Sequence, residues 1–289
     1  MDYKTETKQA ERFRWWFAPS WLGLDAPCVV STWTWAASKA SGTELSLRSI
    51  TALFFVVWAI YLSDRLVDVA SCRNWEQATG RLLFGRNYRV LFQSCLGICL
   101  VALLGVLWVG LPRDVFRRGA VVGVGVGLHF LAFVKPVFFQ AKLPGKEFGV
   151  GLFFAFGAYA CLGVTIRTLP LLISIAALVS FNCLVIAARD ADSDRANDPG
   201  GASRWWQTLN RDLFWLGVVL TSVAAAGAVL TCETGFYTSL AAAFALLTIL
   251  HHTASRWGGD AVRALADFAL FTPLMIMGGV RLVFNVSSR

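Results

Sequence analysis

Charged side chains make up only 15% of the 289 residues, against about 25% in an ordinary soluble domain. That shortage excludes a solvated surface over most of the chain. Histidine is nearly missing, with 3 residues, and the adjacent pair His251 and His252 lacks the spacing of metal ligands, so no zinc site is legible. The 7 cysteines are scattered through apolar segments without a C-x-x-C pair, which excludes a disulfide framework. Cys95 and Cys99 share a helix face and read as packing residues. Internal repeats of 20–50 residues and low-complexity linkers are absent. The opening "MDYKTETKQAERFRWWF" has no short apolar core with a small-residue cleavage site; it is polar and basic, and reads as a cytoplasmic tail over residues 1–18. "VGVGVGLHF" carries G-x-G-x-G without the strand–turn–helix setting of a phosphate loop, and its small residues instead suit close helix packing.

What is abundant is apolar surface. The chain is 56% hydrophobic with a mean hydropathy of +0.59. Backbone groups in hydrocarbon must bond within their own segment, and long unbroken apolar runs select helices over barrel strands. The expected class is an all-α polytopic membrane protein, with one transmembrane domain over 19–289. Runs of about 20 apolar residues predict a nine-helix transmembrane bundle, with spans near 19–38, 49–68, 90–111, 118–138, 147–166, 169–189, 211–231, 236–254 and 262–284. Pro170 suits the first turn of the sixth. With the N-terminus inside, 18 of the 26 Lys and Arg residues fall on the cytoplasmic side, which predicts a cytoplasmic N-terminus and insertion in the cytoplasmic (inner) membrane. The net charge of +8 is then explained by topology and anionic membrane lipid. No nucleic acid is required, and no obligate protein partner is evident.

In this topology two acidic segments share the cytoplasmic side. "YLSDRLVDVA" closes the second span with Asp64 and Asp68. "AARDADSDRAND" closes the sixth with Asp190, Asp194 and Asp198, while Asp192 falls on the opposite side. Residues four apart on a helix rise about 6 Å and turn about 40°, so each set shares a face. Stepping back by eight from Asp190 reaches Asn182 on the same stripe. Carboxylates at helix C-termini meet the negative end of the dipole and need compensation. Mg²⁺, a hard cation that takes a few carboxylates and fills its remaining positions with water and phosphate oxygens, meets that need. Two such faces opposed across a central cavity, open to the cytoplasmic side, would grip a diphosphate.

At these residues the chain resembles the UbiA superfamily of intramembrane prenyltransferases. Its members have nine helices and aspartate-rich motifs after helices 2 and 6, where "YLSDRLVD" and "RDADSDRAND" fall. Asp64, Arg65 and Asp68 match the first motif, with Ile60 at the position the family gives to Asn. Arg189, Asp190, Asp194 and Arg195 match the second. The resemblance implies Mg²⁺ at Asp64, Asp68, Asp190 and Asp194, extended here to Asp198. The first four are also the catalytic set. It further implies a transferase of alkyl groups other than methyl, moving a polyprenyl group from its diphosphate to an aromatic or other lipophilic acceptor. The same scaffold also serves terpene cyclases, and a non-enzymatic transporter or binding protein is an alternative of another class.

Basic residues of the "KPVFFQAKLPGKEFG" loop complete this reading. Lys142 and Lys146, with Arg65 and Arg189, are the expected diphosphate ligands, and Lys135 lies in the same loop. Tyr61 and Asn182 are the expected pocket residues. Asp25 and Asp267, the remaining acids within spans, could hold an acceptor head group, act as a base, or pair with a helix-end arginine such as Arg263.

Overall fold

A computed structural model describes residues 18–72, 74–75, 78–134, 145–191, 201–257 and 259–279. These residues are helical, with no strand among them. The helices are α1 (Asp25–Ser41), α2 (Leu47–Ser71), α3 (Gly80–Asn87), α4 (Arg89–Gly110), α5 (Arg113–Val134), α6 (Lys146–Leu162), α7 (Thr168–Arg189), α8 (Leu209–Leu230), α9 (Thr234–Thr253) and α10 (Gly259–Ala269). Single helical turns occur at Ala18–Trp21 and Ala202–Trp205. Helical residues occur within each segment read as a span. Among the described residues five segments are long and apolar enough to cross a membrane: α2, α4, α7, α8 and Thr234–Arg256.

Local chemistry sets the helix ends. Gly42 closes α1 in the left-handed conformation (φ 68°), which costs a residue without Cβ little. The Ser46 side chain caps α2 by accepting from the Ser49 N–H at 3.1 Å. Between α6 and α7, Thr165 and Thr168 form a reciprocal box: Thr168 Oγ1 accepts from the Thr165 N–H at 2.7 Å and Thr165 Oγ1 from the Thr168 N–H at 3.1 Å. This satisfies two N–H groups that the first turn leaves orphaned and puts Pro170 inside the turn, as expected.

Two expectations need correction. The first span was expected from residue 19, but Gly23, with φ 66° and packed against the Tyr61 ring, breaks the chain there. The helix proper begins at Asp25, where an acid suits the positive end of the dipole. The last span was expected to run unbroken from 262 to 284. Instead α10 ends at Ala269, a turn takes Leu270–Phe271, and a π-helical stretch follows at Leu274–Gly278. The break frees a carbonyl in apolar surroundings, and the buried Trp33 indole N–H of α1 donates to that Leu270 oxygen at 2.9 Å. Thr272 Oγ1 likewise donates to the Ser239 carbonyl of α9 at 2.8 Å. The Trp33 side chain thus re-satisfies the carbonyl that the break leaves open, while Thr272 ties the broken segment to α9.

α1 and α7 lie at the centre. α1 packs on α2, α6, α7, α9 and α10; α7 packs on α6, α8, α9 and α10 as well. The share of the most apolar window that is buried is 61% for α7 but 11% for α4 and 17% for α8. The peripheral helices expose Val101, Leu104 and Trp108 on α4 and Trp215, Val219 and Val223 on α8, an apolar belt of the kind that faces lipid. Close packing rests on small residues. A Cβ on Gly151 of α6 would lie 2.1 Å from Ser180 Oγ and 2.4 Å from the Ala176 carbonyl oxygen of α7.

Gly151→Ala should therefore lower stability by about 1–3 kcal/mol through overpacking. Trp33→Phe should cost about 1–3 kcal/mol by leaving the Leu270 carbonyl unpaired. Thermal unfolding in detergent checks both; no shift for either variant would show that the contact is not strained or the carbonyl not dependent on the indole.

Candidate functional site: an arginine–aspartate cluster at one end of the bundle

The last turns of α2 present Tyr61, Asp64, Arg65 and Asp68 at helical spacings of three and four, so the four neighbour one another. Arg65 is buried at 7% exposure. Its Nη1 donates to Asp68 Oδ2 at 3.3 Å, and its guanidinium lies 5.4 Å from the centre of the Tyr61 ring, a cation–π distance. Asp64 is only partly buried and lies within electrostatic reach of Arg65, Arg81 and Lys146.

A second set comes from α7 and α10. Asp190 is the C-cap of α7, where the unsatisfied carbonyls make an uncompensated carboxylate unfavourable. Compensation comes from Arg263, whose Nη2 pairs with Asp190 Oδ2; the side chains are 7% and 12% exposed. α10 carries Asp260, Arg263 and Asp267 along one face. Asp260 packs on the first turn of α3, where any Cβ on Gly80 would strike its carboxylate. That contact brings Arg81, the next residue of α3, towards Arg263 and Arg65. Burial pushes the Asp260 carboxyl up from its usual range, and Arg81 opposes the shift. Burial, then the Arg65 charge, holds the Arg81 guanidinium below its ordinary value, with Asp68 and Asp64 acting the other way.

Arg65, Arg81 and Arg263 therefore share one neighbourhood, where two buried cations and a partly buried one repel one another. Each also keeps a buried nitrogen without a hydrogen-bond partner among the described residues: Arg65 Nε, Arg81 Nε and Arg263 Nη1. An unmade bond to a buried charged group is expensive. Such a cluster matches an anion with several oxygens, for which guanidinium forks are well shaped.

One to two turns deeper is another polar layer. Asp267 Oδ1 accepts from Asn182 Nδ2 at 3.4 Å and Asp267 Oδ2 from Ser20 Oγ at 3.4 Å. Asp25 and Tyr61 stand beside them.

The expected site residues are thus only partly gathered. Asp64, Arg65, Asp68, Tyr61 and Lys146 lie on one side of the cluster, and Asp190 on the other, joined through Arg81 and Arg263. Asn182 sits in the deeper layer. Arg189 is exposed and donates from Nη2 to the Trp257 carbonyl at 2.9 Å, away from the cluster. Asp194, Asp198, Arg195, Lys135 and Lys142 lie outside the described residues. The sequence reading did not assign Arg81, Asp260 or Arg263 to the site. For the α10 pair the signal was present: Asp260, Arg263 and Asp267 repeat at three and four along an amphipathic helix. Arg81 had none, because only the α3–α10 contact places it.

Carboxylate oxygens are the right chemistry for Mg²⁺. Among the described residues, however, no three His, Cys, Asp or Glu side chains gather closely enough to hold a metal ion. Asp64 and Asp68 are two carboxylates one turn apart on α2, with Asp68 Oδ2 shared with Arg65; Mg²⁺ sites with so few carboxylates take their remaining oxygens from water and phosphates. Comparison with known proteins yields no relative: no family model, curated protein or solved structure matches this chain.

Arg263→Ala should cost about 3–5 kcal/mol by stranding the buried Asp190 carboxylate, and adding Asp190→Asn should recover part of that loss. Unfolding midpoints of the single and double variants check this; strictly additive losses would mean that the pair is not coupled.

Proposed function

We propose that this chain is a Mg²⁺-dependent intramembrane prenyltransferase that moves a polyprenyl group from its diphosphate to a lipophilic acceptor, lying in the inner membrane with its N-terminus cytoplasmic. The observation that carries the reading is the trio of arginines that each keep a buried, unpartnered nitrogen, bracketed by carboxylates from α2 and α7 at the polar end of an apolar bundle. The trio supplies donors for the non-bridging oxygens of a diphosphate, and Lys146 adds a point charge on the same side. Asp64 and Asp68, with Asp190 across the cluster, are the described residues that would hold Mg²⁺; the sequence motif adds Asp194 and Asp198, which lie outside the described residues. The metal would supply neutralisation of charge on the leaving diphosphate. Arg65 and Arg263 orient the carboxylates they pair with, and the apolar bundle excludes water that would quench an allylic cation.

Cyclisation of the same substrate would need the same ionisation and no acceptor; the polar layer of Asp25, Asp267 and Asn182 favours transfer. A second reading, a cation or proton transporter, is favoured by the break at Leu270–Phe271 close after Asp267, since broken helices near acids serve such proteins. It gives no role to three converging arginines.

The test uses purified protein with geranylgeranyl diphosphate, with and without Mg²⁺, followed by pyrophosphate release. Release should require Mg²⁺ and disappear in Asp64→Ala and Asp190→Asn. Release at the wild-type rate in both variants would overturn the metal assignment, and no release from the wild type would overturn the activity.

A further inference from the structure

The deeper layer has more acceptors than donors. Asp267 accepts two long contacts, at 3.4 Å each, from Asn182 and Ser20. Asp25 Oδ1 accepts the Ala26 N–H at 2.9 Å, and its carboxyl lies near enough to that of Asp267 to hydrogen-bond with it. Asn182 is 5% exposed, and its Oδ1 has no partner among the described residues. That bare oxygen is on the same amide as the Nδ2 that faces Asp267 and diverges from it, so it borders the niche beside that contact. A buried amide oxygen normally finds a donor. The ionisable groups around the niche are Tyr61 and Arg65 of α2, Cys183 of α7 and Arg263 of α10. Asp25, Asp267, Tyr61 and Cys183 are each only partly buried, so the niche is not packed shut.

Its depth is informative. Asp267 lies one helical turn, about 6 Å, inward of Arg263, and Asn182 about 12 Å inward of Asp190 along the rise of the helix. A diphosphate held by the arginines would direct its first prenyl carbon towards this layer.

We propose that the Asp25–Asp267–Asn182 niche is the subsite for the acceptor's head group, and that this head group is a hydroxyl or amine which donates to Asn182 Oδ1 and to Asp267. This rests on the prenyl-transfer reading. In the step, the allylic C–O bond breaks and its electron pair leaves on the diphosphate. The acceptor's oxygen or nitrogen lone pair forms the new bond to that carbon, and its proton passes to the Asp267 carboxylate. Asp25 positions Asp267 from α1.

The test separates this subsite from the reaction. Equilibrium binding of 1-naphthol to the purified full chain is read by fluorescence, with 1-methylnaphthalene, which has no donor, as the control. Naphthol should bind saturably to the wild type. Its affinity should fall about tenfold or more in Asp267→Asn and in Asp25→Asn, while methylnaphthalene binding stays unchanged across all three. Circular dichroism and elution profile establish folding, and either variant alone suffices if the other fails to fold; loss of folding in both would assign the pair to the fold and overturn the subsite. Equal naphthol affinity in wild type and variants, or no naphthol binding, overturns it too, whatever pyrophosphate assays show. If binding follows the prediction but no pyrophosphate is released from geranylgeranyl diphosphate, the niche stands as a donor-binding site and the prenyl-transfer reading falls.

Discussion

The pairing of Arg263 with Asp190 is the interaction on which this end of the molecule depends. Asp190 caps a helix at its negative end and is nearly buried, two conditions that each disfavour a carboxylate. Arg263 is buried as well and gains nothing from water. Neither side chain is tolerable there alone, so α7 and α10 must meet at this point. Once they do, the rest follows: Asp260 is set against Gly80, Arg81 is carried in beside Arg65, and Asp267 is placed one turn below facing Asn182. A single ion pair thus fixes the relative height of the elements that carry the remaining polar groups.

Much of the fold was legible in the sequence. Apolar runs marked where helices stand because hydrocarbon leaves the backbone no other partner, and Pro170 marked the start of α7. The shortfalls have physical causes. Gly23, packed on the Tyr61 ring, and the turn after Ala269, whose freed carbonyl Trp33 takes up, interrupt runs marked as spans, and tertiary contacts of this kind leave no trace in a sliding window. α1 and α6, at 17 residues each, are shorter than a membrane is thick and depend on neighbours rather than on their own apolarity.

The site was legible by halves. Spacing of four placed Asp64 with Asp68 correctly on one face, because that depends on a single helix. It also singled out Asn182, which proves to be buried among polar partners. What spacing could not supply was the identity of each charge's partner. Arg263 was weighed as a mate for Asp267 on its own helix, yet it turns to Asp190. Arg189, adjacent to the motif, is spent on the Trp257 carbonyl. Arg81, distant from both motifs and on an unremarkable short helix, reaches the centre of the cluster.

The order in which the chain is made gives the last helix an added burden. Asp190 leaves the ribosome with α8 and α9 still to come before Arg263 exists, so its charge has no mate during that interval. α10, at 11 residues, carries that arginine and packs on α1, α7 and α9. Docking delivers the arginine to Asp190 and the Leu270 carbonyl to Trp33 of the first helix together. α10 therefore acts as a keystone between the seventh helix and the first, and without it neither the cluster nor the niche beneath it is complete.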